Sequence, residues 1–140
     1  MDAATGETLL DTLVAPGCEV EPEARWIHGI SDDELATAPP LADVWEQLLQ
    51  MTAGKTVLAY NSGFDYATVV RHARRDGLNP SHLGDSNRWS CLMGRRSDWL
   101  MRYRWLPLGG GHRARGDCEV AFELLCAMTT PARMPKPARR

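Results

Sequence analysis

Apolar residues recur along this chain at two periods, and each stretch takes its element from the period that holds there. Leu41, Val44, Trp45, Leu48 and Leu49 fall at helical spacing with Gly54 as a stop, which predicts an amphipathic helix of about three turns lying on a sheet. Just ahead of it, Ser31 and Glu34 have the spacing of a capping box, opening a short helix that Pro39 and Pro40 close. Lys55 to Tyr60 (KTVLAY), bounded by Gly54 and Asn61-Ser62-Gly63, is a short apolar run that predicts a buried strand. FDYATVVRHARRDG then returns to the helical period and ends at Gly77. Strand, tight loop and helix in that order make a parallel α/β unit. Asp65 therefore falls just past the carboxyl end of a strand, where open α/β sheets bind ligands.

The remaining stretches extend this frame. Asp2 to Gly6 has turn chemistry, and the β-branched, apolar run from Thr8 to Val14, closed by Pro16-Gly17, predicts the second strand of a hairpin. Pro80 to Asn87 is expected as loop, Arg88 to Met93 as a second buried strand, and Gly94 to about Arg102 as a helix. The last helix is expected from about Arg113 to Met128. Ala114, Cys118, Ala121, Phe122 and Leu125 form its apolar stripe, Asp117 stands beside that stripe, and Cys118 and Cys126 share a buried face. Phe64 is expected in the core. The proline-broken, basic tail TTPARMPKPARR predicts disorder.

Composition narrows the functional classes. A length of 140 residues with 44% apolar content fits one domain, residues 1–128, followed by the tail 129–140. The net charge of −2 excludes a protein that holds nucleic acid by overall positive charge, so a polyanion would be gripped locally. The four cysteines form no CxxC pair and no zinc-ligand spacing. Free thiols, the lack of any apolar run near the roughly 20 residues needed to span a bilayer, and the lack of a signal-peptide pattern together predict a cytoplasmic protein without a membrane partner.

The candidate chemistry centres on GGGHRARGDC, Gly109 to Cys118. In a continuous helix five residues turn about 500°, so His112 and Asp117 would point about 140° apart. They converge only if His112 precedes the first turn, which the three glycines permit. An imidazole and a carboxylate then meet beside a helix N-terminus, where partial positive charge favours an anion. Hard cations take carboxylates together with substrate phosphates, so Asp65, Asp117 and His112 suit metal-assisted phosphodiester cleavage with His112 as general base. The alternative roles are plainer: a first-turn acid serving the helix dipole at Asp65, and capping by His112 and Asp117. Arg95, Arg96, Arg102, Arg104, Arg113 and Arg115 cluster near the proposed site and are placed to meet phosphates, with Arg113 and Arg115 flanking this pair. Arg71, Arg74 and Arg75 form a solvated stripe. Trp99, Tyr103 and Trp105 are candidates to stack on bases, with at least one packed in the core.

Taken in order, Gly6-Glu7 with LLDTLVAPG, ARWIHGI (Ala24 to Ile30), YNSGFD (Tyr60 to Asp65), WSCLM (Trp89 to Met93) and HRARGD (His112 to Asp117) resemble the motifs of DEDDh-type 3'-5' exonucleases. That family includes the proofreading subunit of bacterial DNA polymerase III. The resemblance runs from about Asp2 to Met128 and implies an α/β, ribonuclease H-like mixed sheet flanked by helices. It implies a two-metal-ion mechanism with Mg2+ or Mn2+, Asp65 and Asp117 as metal ligands, His112 as the base, and His28 and Asn61 shaping the substrate site. Its implied partners are single-stranded DNA or RNA 3' ends and the DNA replication or repair machinery. This sequence departs from the family pattern in two places. The family's Asp-x-Glu motif, which supplies two further carboxylates, is missing, so the expected domain is N-terminally truncated. The run from Trp105 to His112 is also short. The second reading is therefore a catalytically impaired or inactive nucleic-acid-binding remnant.

Overall fold

The computed structural model describes residues 1–102 and 105–130. Its elements follow the order α1 (Pro22–His28), α2 (Asp32–Ala36), α3 (Leu41–Thr52), β1 (Val57–Ala59), α4 (Ser62–Arg75), the 3-10 turns Ser81–Gly84 and Ser86–Arg88, β2 (Trp89–Cys91), α5 (Leu92–Trp99) and α6 (Ala114–Thr129). The two strands are parallel, with Val57, Leu58 and Ala59 opposite Trp89, Ser90 and Cys91. A parallel pair needs a crossover, and α4 with the two 3-10 turns provides it. The result is an α/β arrangement consistent with a ribonuclease H-like fold: helices around a small parallel sheet.

The core is concentrated on one side. Trp45 of α3, Ala73 of α4 and Leu83 of the first 3-10 turn are buried together, with Leu41, Leu48, Leu49, Val57, Val69, Leu78 and Trp89 packed around them. The Trp45 indole N–H donates to the Asn79 carbonyl at 3.1 Å, so the polar end of this large side chain is satisfied inside the apolar cluster. The helical spacing of Leu41 to Leu49 is the direct cause, because it turns one stripe of α3 toward the sheet and α4.

Other sequence expectations need correction. The Asp2–Gly6 turn forms, with the Gly6 N–H donating to the Asp2 carbonyl at 2.9 Å, but Thr8 to Val14 joins no ladder. No described strand lies beside it to pair with. It stays extended and is tied at its end by the Ala15 N–H to the Pro39 carbonyl, 2.8 Å. Between this stretch, the outer side of β1, α3 and α6 lies an open apolar hollow of about 560 Å³, lined by Leu9, Leu10, Met51, Val57, Phe122 and Leu125 among others. Cys118 and Cys126 are exposed rather than buried, and Cys118 lines this hollow, where α6 meets no packed layer. The helix α1, absent from the periodicity, starts on Pro22 and ends on Gly29 in the left-handed region. It buries no residue, which is why no apolar stripe announces it. The expected tail lies outside the described residues from 131 onward, as does Tyr103.

Candidate functional site

Two helix starts and one glycine loop build the site. The strand β1 ends at Ala59, and Asn61 then caps α4, its carbonyl accepting from the Phe64 and Asp65 N–H groups at 2.9 and 3.4 Å. These bonds fix Asp65 in the first turn of α4. On α6 the cap residue is Arg113, so His112 precedes the first turn. Gly109, Gly111 and His112 all have positive φ, at 90°, 81° and 62°. The loop folds back on the helix, and the His112 N–H donates to Asp117 Oδ1 at 3.3 Å.

Glycine is required where this loop meets the helix. A Cβ on Gly110 would lie 2.6 Å from Asp117 Cα, and one on Gly116 would lie 2.8 Å from the Gly110 carbonyl oxygen. Backbone therefore touches backbone, and Asp117 is held by its own neighbours.

Asp117 lies within electrostatic reach of Asp65. Burial pushes the Asp65 carboxyl above its ordinary value, and the negative charge of Asp117 pushes it further, against an opposing hydrogen bond from the Asp65 backbone. Each is half-buried, and neither has a cationic side chain within ion-pair distance among the described residues. Two neighbouring carboxylates without a counter-charge are donors of the type that a hard cation takes together with water and substrate phosphate. Among the described residues no cluster of three or more His, Cys, Asp or Glu is found. The pair does not by itself supply the ligands of two ions.

The other sequence candidates are placed around this pair. Arg113 donates to the Gly29 carbonyl at 2.7 Å and to Glu34 Oε1 at 3.3 Å, tying the end of α1 to the start of α6. Glu34 is in turn held by Ser31 through both halves of the capping box. His28 is thereby carried to the neighbourhood of the glycine loop, with its Nδ1 accepting from the Ile30 N–H at 2.9 Å. Asn61 is exposed at the head of α4. Arg115 points elsewhere: it pairs with Glu119 at 3.0 Å and Asp11 at 3.4 Å, and two residues of helix put it about 200° from Asp117. Phe64 is 67% exposed rather than in the core, which leaves an aromatic ring open beside Asp65.

Sequence reasoning gave Tyr60 no role and grouped Arg96 with the arginines placed to meet phosphates. The Tyr60 hydroxyl donates to the Leu106 carbonyl, and Arg96 Nη1 donates to the Tyr60 oxygen at 3.0 Å and to the Pro107 carbonyl at 3.1 Å. These bonds seat the chain entering the glycine loop against the end of β1. The available signal was positional, a tyrosine closing the strand immediately before the Asn61 cap.

Comparison with known proteins places this geometry. The Exonuclease (RNase T) family pattern matches residues 1–125. An uncharacterized exonuclease, CP81, of Escherichia phage 186 is 24% identical over 145 aligned positions, covering 89% of this chain and 75% of that protein. A DNA polymerase III subunit epsilon-like protein of Rhodobacter capsulatus is 35% identical over 71 positions, 51% of this chain and 10% of the relative. The DNA polymerase III subunit epsilon of Pasteurella multocida is 30% identical over 66 positions, 47% of this chain and 26% of the relative. This chain thus spans only a small part of the two polymerase-related proteins. No solved structure matches it significantly.

Proposed function

The chain belongs to the Exonuclease (RNase T) family, and on that premise we propose that it is a cytoplasmic 3'-5' exonuclease hydrolysing phosphodiester bonds at DNA or RNA 3' ends. The observation that carries this reading is the charge of Asp117, held by the glycine loop that bears His112, acting on the half-buried Asp65, with no counter-charge on either carboxylate. Members of the family generally use divalent metal ions. Asp65 and Asp117 would hold such an ion, Mg2+ or Mn2+, which when bound polarises the phosphoryl oxygen and makes bound water more acidic.

The residues of this chain carry the rest. His112, exposed on the loop, takes a proton from the attacking water on an imidazole nitrogen. Asp117 accepts the His112 N–H and so keeps the loop in register with the carboxylates. Arg113 holds the His28 turn against the same helix start, and Asn61 stands exposed at the head of α4, where the terminal nucleotide would lie. The names of the polymerase-related relatives favour work beside DNA replication or repair machinery.

The second reading, a nucleic-acid-binding protein with impaired catalysis, is favoured by the missing third ligand among the described residues. A 3'-labelled oligonucleotide incubated with Mg2+ separates the two. Release of labelled mononucleotide by the wild type, lost in Asp117→Ala, supports the enzyme. Wild type and variant alike leaving the label in place supports the second reading.

A further inference from the structure

Arginines in this chain fall into two groups. Arg25, Arg75, Arg113 and Arg115 each pair with a carboxylate within 3.4 Å. Arg71, Arg74, Arg88, Arg95, Arg96 and Arg102 have no carboxylate partner among the described residues; Arg95 meets the Ser90 hydroxyl, at 3.1 Å. Four of these, Arg88, Arg95, Arg96 and Arg102, lie in a stretch, Arg88 to Trp105, that holds a single aspartate in a chain whose net charge is −2. Positive charge is thus concentrated in that stretch.

The same place exposes large apolar side chains. Trp99 is 51% exposed, Met101 90% and Trp105 74%. Arg95, Arg96 and Trp99 stand at i, i+1 and i+4 on α5, so Trp99 shares a face with Arg95 and lies one turn beyond Arg96. Arg96 holds the Pro107 carbonyl, which brings the segment that carries Trp105 against α5. That segment also bonds to Tyr60 and runs on into the glycine loop, so the patch is continuous with the Asp65 and Asp117 site.

Indole rings open to solvent and guanidiniums without carboxylates answer to one ligand chemistry. Bases stack on aromatic faces whatever their sequence, and phosphates take the guanidinium charge. We propose that Trp99 and Trp105, with Arg95 and Arg102, form a platform for the single-stranded nucleic acid upstream of the terminal nucleotide. It guides the strand toward the carboxylates. This rests on the exonuclease reading for its direction, but binding itself is measured apart from cleavage.

The test is fluorescence anisotropy of a labelled oligothymidylate of about 12 nucleotides, in EDTA so that no hydrolysis occurs. The Trp99→Ala, Trp105→Ala double variant is expected to raise Kd roughly fivefold or more per tryptophan, while the Trp99→Phe, Trp105→Phe variant keeps most of the affinity. Replacing Arg95 and Arg102 by glutamine is expected to lower the slope of log Kd against log salt by about 1.4. Both tryptophans are largely exposed, so a matching thermal melt verifies that the variants are folded. An unchanged Kd in the folded double-alanine variant overturns the platform, as does a wild type that fails to bind. Binding that depends on the tryptophans without any cleavage in Mg2+ would instead count against the exonuclease reading alone.

Discussion

Asp65 sits where its ionised form is disfavoured, first by burial and then by Asp117. A carboxyl held above its unfolded pKa binds its proton more tightly in the folded state. Its destabilising effect is absent below the unfolded value and develops as pH rises through the folded one. Asp65→Asn is therefore expected to raise Tm at neutral pH without metal and to lose that advantage as the pH is lowered, read by thermal melts across pH. His112 carries a different expectation. Its φ of 62° lies where asparagine is tolerated, so His112→Asn should fold normally and lose about 10²- to 10⁴-fold in kcat. The position of Asp65 and Asp117 in the first turn of a helix was legible in the sequence because each follows a signal that opens a helix. Phe64 was not: it lies nine residues before the buried Ala73, on the opposite side of α4, and apolar character alone does not give a face.

At the scale of elements, the sequence predicts best where one side of a segment is buried. The helices α3 and α4 bury Trp45, Val70 and Ala73, and both stand where their periodicity places them. Of the segments that bury no residue, α2 and α6 were legible from a capping box and an apolar stripe, whereas α1 was missed, and Thr8 to Val14 has strand-like composition but no neighbour with which to form a ladder. Residues 88–93 divide differently from expectation. The strand β2 stops at Cys91 and α5 begins at Leu92, because Leu92 is itself buried at the helix start. The glycine loop is the element on which the site turns. Gly110→Ala would drive a Cβ into the Asp117 backbone, so the loop must move. A displacement of about 1 Å at a reacting group costs roughly 100-fold in rate, and kcat in a cleavage assay should fall by that order.

Across the whole molecule, five hydrophobic residues are buried among those described, and three of them form the cluster around Trp45. Stability is concentrated there, away from the apolar hollow between β1 and α6. Trp45→Ala should cost about 3 to 5 kcal/mol by denaturant unfolding, a large share of what a domain of this size has. No helix among the described residues is long and apolar enough to cross a membrane. The α/β order and the family were legible from the succession of motifs. The hollow was not, since no local pattern reports whether a stripe such as that of α6 finds a partner across the fold.

The account depends on two carboxylates acting as one binding unit, and Mn2+ titration followed by electron paramagnetic resonance measures that without any need for turnover. The wild type is expected to bind a Mn2+ ion that either Asp65→Asn or Asp117→Asn weakens by at least about tenfold. Equal affinity in the wild type and both folded variants would contradict it.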